Sequence, residues 1–114
     1  MMVGDVGLGE WEYGAWGGMA LRDVPDLARF VGDASFVPPG GESAAGFQAR
    51  VGRWLEGCSE SGVVLVSAAV VRGLVIAALG GDAGMALRLD VRPWSRSELT
   101  FYRGWRVSVV SAPV

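Results

Sequence analysis

Val63-Val64-Leu65-Val66-Ser67-Ala68-Ala69-Val70-Val71-Arg72-Gly73-Leu74-Val75-Ile76-Ala77-Ala78-Leu79-Gly80-Gly81 is the stretch that decides the fold class. Val63 to Val66 is short, continuous and rich in β-branched residues, the pattern of a strand covered on both faces. Ala69 to Leu79 is apolar nearly throughout and stops at Gly80-Gly81, which implies a buried helix. Strand, turn and helix in that order imply an α/β sheet. Ser67 stands at the end of the strand and just before the helix. Free N–H groups at a helix N-terminus make that a binding position. The surrounding Val66-Ser67-Ala68-Ala69-Val70 lacks the glycine frame of a nucleophile elbow, and the chain contains no histidine to act as base, so a catalytic serine is not expected.

Upstream lies the clearest helix, Glu42 to Cys58. Its Phe47, Val51, Trp54, Leu55 and Cys58 follow helical spacing, and Gly57 with the polar Ser59-Glu60-Ser61-Gly62 ends it. Pro38-Pro39-Gly40-Gly41 before it reads as a rigid turn. A short helix is expected over Asp23 to Val31, with Asp23 as cap and Pro25 in the first turn. Residues 1–18 carry six glycines interleaved with Trp11, Tyr13 and Trp16, a loop wrapping a surface. Downstream, Asp82 to Leu87 suggests a short helix or turn and Leu89 to Val91 the start of another strand. Leu99 to Tyr102 and Trp105 to Val110, separated by Arg103-Gly104, suggest an antiparallel hairpin.

The whole chain, residues 1–114, suits one domain. Its 51% apolar and 19% charged residues leave too little charge to cover a small surface, so another chain is expected to cover part of it. The net charge of −2, with ten arginines scattered in ones and twos, gives no basic stripe for nucleic acid. The absence of lysine excludes a Walker loop. One cysteine, Cys58, and no histidine exclude a disulfide framework and the usual zinc sets within one chain. No apolar run spans a membrane and the start lacks a signal-peptide core, so the cytoplasm is the expected compartment, with no cofactor and no metal.

Four segments carry a family resemblance. Asp5-Val6-Gly7-Leu8-Gly9-Glu10-Trp11-Glu12-Tyr13-Gly14-Ala15-Trp16 resembles an acidic residue followed by Phe-Gly-x-Trp-Glu-Gly-x-x-Trp. Pro39-Gly40-Gly41-Glu42-Ser43 matches a Pro-Gly-Gly-Glu-Ser turn. Val63 to Gly80 resembles a strand, phosphate-site turn and helix, and Thr100 to Ser108 a closing pair of strands. Together they resemble the histidine phosphatase superfamily, the phosphoglycerate-mutase-like fold. The resemblance implies a reduced sheet with helices on both faces. It also implies that the family's opening strand, ending in Arg-His-Gly, would fall before Met1. The family's second histidine would stand between Ser67 and Ala68, in a Ser-His-Ala-Ala-Val-Val-Arg pattern that here closes up without it. Asp5 stands where the family has its proton-donating carboxylate, and Glu42 occupies the turn position.

Two functions follow as expectations. The first is a non-phosphatase homologue acting as a small-molecule-binding or assembly module. The second is a repurposed, cofactor-independent biosynthetic enzyme of isomerase, cyclase or dehydratase type, with Asp5 and Glu42 as acid and base in an apolar cleft. A small apolar ligand would be held by Trp11, Trp16, Ser67, Ala68 and Trp94. Loss of the family strand beside Val63–Val66 would leave an open edge, and a homodimer built on that region is expected.

Overall fold

The computed structural model describes residues 8–114. In chain order they form 3-10 turns at Gly14–Trp16 and Leu21–Asp23, then helices α1 (Leu27–Gly32), α2 (Ala44–Glu56) and α3 (Ala68–Ala78). A 3-10 helix over Ala83–Arg88 leads into strands β1 (Ser95–Phe101) and β2 (Trp105–Pro113). The class is mixed α/β, with the paired strands among the described residues supplied by the hairpin that follows the helices.

Both long helices begin on a serine. The Ser43 hydroxyl accepts the Gly46 N–H at 3.0 Å, and the Ser67 hydroxyl accepts the Val70 N–H at 3.4 Å. Each satisfies one of the amide groups that a helix start leaves unpaired. α2 buries Phe47, Val51 and Leu55, one residue per turn, and Gly57 follows its last turn. α3 is apolar apart from Arg72 and buries Val70, Leu74, Val75 and Ile76, as a helix covered on several sides must. The two helices approach closely because small residues face each other: a Cβ at Gly52 would lie 3.8 Å from that of Ala77. Leu8, Phe47, Val51, Leu55, Val70 and Leu74 form the core, with Val64, Val66, Leu99 and Trp105 packed on its rim.

β1 and β2 pair antiparallel, with Phe101 opposite Trp105 at the closed end and an irregular register between Arg96 and Leu99. Left-handed backbone at Arg103 (φ 59°) and at Gly104 (φ 144°) turns the chain. The hairpin is longer at its open end than its apolar runs suggest, because Ser95, Arg96 and Ser97 continue β1 without an apolar signature.

Three local readings change. Val63–Val66 is not covered on both faces: Val63 is 73% and Leu65 65% exposed, while Val64 and Val66 pack on the core. Among the described residues this segment joins no ladder, and the paired sheet has two strands. A continuous apolar run does not say which face is wet. Leu89–Val91 lies in no strand. Asp23 closes a 3-10 turn instead of capping a helix, and α1 starts at Leu27. Pro25 explains the break, since the residue before a proline is held extended, and Val24 is (φ −74°, ψ 118°). Among the described residues no helix is long and apolar enough to cross a membrane.

Candidate functional site

Two of the four resemblance-bearing segments, the glycine-rich loop and the Pro-Gly-Gly-Glu-Ser turn, meet around one side chain. Arg50, two turns into α2, donates to both Glu42 carboxylate oxygens, at 2.7 Å to Oε1 and 3.3 Å to Oε2. Its remaining N–H groups reach the carbonyls of Gly9 (2.9 Å) and Glu10 (3.3 Å). Glu42 completes the knot. Its carboxylate accepts the Glu12 N–H at 3.0 Å, its own N–H donates to the Glu12 carbonyl at 2.8 Å, and its carbonyl accepts the Trp11 indole N–H at 3.1 Å. A planar guanidinium suits acceptors spread in this way, and lysine would not reproduce the arrangement. The knot binds the glycine-rich loop to the start of α2.

Partial burial pushes the Glu42 carboxyl up. The Arg50 and Glu12 hydrogen bonds and the Arg50 charge outweigh that, and the net shift is downward from the ordinary 4.5. A carboxyl depressed in the folded state adds stability above its unfolded pKa and loses it as pH falls through the folded one. Glu42→Gln is therefore expected to flatten the acid limb of the stability curve below pH ~4.5. Urea unfolding at several acid pH values checks this. A parallel acid limb in the variant would remove Glu42 from the account.

Trp11 stacks on Phe47 (4.7 Å between centroids, 11° between planes) and on Tyr13 (5.5 Å, 13°). Trp11 and Trp16 share Phe30 as a ring neighbour, and Trp16 also stacks on Phe36. Trp16 is 7% exposed and its indole N–H has no hydrogen-bond partner among the described residues. Between Trp11, Phe47, Ala69, Arg72 and Gly73 lies a cavity of about 20 Å³, room for about one water. Tyr13 stands beside Glu10 and Arg72; burial raises its hydroxyl pKa, Glu10 adds to the rise and Arg72 opposes it. A second, open groove lies along Ala49, Gly52, Ala77 and Gly81, with Glu56 and Asp82 also lining it.

Of the residues singled out in the sequence, Trp11, Trp16 and Glu42 share this neighbourhood, and α3, which Ser67 caps and Ala68 begins, brings Ala69 and Arg72 to the same cavity. Trp94 takes no part in it: it precedes β1, 90% exposed, with φ 55°. Asp5 lies outside the described residues. Arg50 had no distinguishing sequence signal, since the carbonyls that it meets lie about forty residues away, whereas Arg72 closes the Ser-Ala-Ala-Val-Val-Arg stretch of the resemblance. Among the described residues no three of His, Cys, Asp and Glu gather as a metal site would need.

This geometry invites comparison with known proteins. The sequence profile of the histidine phosphatase superfamily (branch 1) matches residues 2–112. The chain belongs to that superfamily. A mycobacterial glucosyl-3-phosphoglycerate phosphatase solved with inorganic phosphate superposes with a TM-score of 0.75 at 22% identity, covering 96% of this chain and 64% of that one. The native form of the same phosphatase gives 0.72 at 20% identity, covering 95% of this chain and 63% of that one. A structure described as mycobacterial hydrolase 1 gives 0.71 at 22% identity, with 96% and 63% coverage. The chain thus spans a little under two-thirds of these superfamily members, and the likeness is one of fold. No curated protein sequence matches it.

Proposed function

We propose that this superfamily member is not a phosphatase and that it works as an assembly module. The observation that carries the reading is the turn at Ser67–Ala68. This is an internal position, inside the matched segment, where the superfamily places its second histidine. Here Ser67 is occupied as the cap of α3, its hydroxyl accepting the Val70 N–H, and Ala68 and Ala69 follow with methyl groups. Phosphoryl transfer depends on positive and hydrogen-bonding groups surrounding the phosphate, and two alanines offer only backbone N–H groups there.

Space speaks against a small-molecule site at the tryptophans: a drug-sized ligand needs a pocket of about 300 Å³ or more, and the cavity beside Trp11 is about 20 Å³, while the open groove of about 520 Å³ along Ala49, Gly52, Ala77 and Gly81 is lined by none of Trp11, Trp16, Ser67, Ala68 and Trp94. Acid–base chemistry is disfavoured at Glu42, because a carboxylate held by a guanidinium and a backbone N–H stays charged and occupied. The single free Cys58 fits a reducing compartment, and we place the protein in the cytoplasm.

The test is a titration followed by the indole N–H resonances in ¹H–¹⁵N spectra. Millimolar indole and inorganic phosphate are expected to leave the Trp11 and Trp16 resonances unmoved, while raising protein concentration shifts amides of residues 62–66. Saturable movement of Trp11 with either small probe would turn the reading toward a ligand site.

A further inference from the structure

We draw no further inference here: the strongest candidate, the open groove between α2 and α3 lined by Ala49, Gly52, Ala77 and Gly81 with Trp105, Glu56 and Asp82, is a stripe of small residues beside two carboxylates, and nothing in the structure shows what covers it.

Discussion

Phe47→Ala is expected to cost about 4 kcal/mol, a large part of the stability of any domain this size. Phe47 is 3% exposed and sits where the core meets the knot. Its ring stacks on Trp11, and the Arg50 guanidinium lies 5.2 Å from the ring centre. Gly73 of α3 is so close that a Cβ there would lie 3.5 Å from the ring. Truncation leaves a void among groups fixed by other contacts, so the site collapses little and the cavity term adds to the lost transfer energy. It also withdraws the platform under Trp11, and aromatic pairs add about 0.5–1.5 kcal/mol beyond their area. Urea unfolding followed by tryptophan fluorescence measures the change. Leu87→Ala, at a site 70% exposed, is the control and is expected to stay within about 0.5 kcal/mol of the parent. Similar midpoints for the two variants would contradict the packing described.

Gly14→Ala is the second large effect, and its cause is backbone geometry. Gly14 has φ 59°, and a Cβ there would overlap the Pro39 carbonyl oxygen, with backbone atoms of Gly40 and Gly41 just behind. The Ala15 N–H donates to that same carbonyl at 2.8 Å, so the loop cannot back away without losing the bond. Left-handed strain and a backbone collision together are expected to cost about 3 kcal/mol or more. Gly62→Ala makes the comparison, because a Cβ there meets nothing within 4 Å. Equal unfolding midpoints for the two would mean that the loop does not rest on the Pro38–Gly41 turn.

Much of this was legible in the sequence. α2 and α3 lie within two residues of their expected bounds, because helical spacing and a full apolar run are local signals. The hairpin was legible for the same reason. The exposed face of Val63–Val66 was not, since an unbroken run of β-branched residues looks alike whether one face or two are covered. Nor was the role of Glu42. As a carboxylate in a turn it suggests acid–base chemistry. Its occupation depends on Arg50 and on the backbone of Glu12, brought together only by the fold. The Pro-Gly-Gly-Glu-Ser turn thus has a structural reading in full: Gly41 admits the Glu12 carbonyl, Glu42 binds the loop, and Ser43 caps α2.

Hydrolysis of a phosphomonoester tests the central claim most directly. Purified chain, freed of host phosphatases and incubated with p-nitrophenyl phosphate and with 3-phosphoglycerate across pH 4–9, is expected to release phosphate no faster than buffer. Release that copurifies with the chain and disappears with Arg72→Ala would contradict the account, because it would mean that the turn at Ser67–Ala68 still supports phosphoryl transfer without its imidazole.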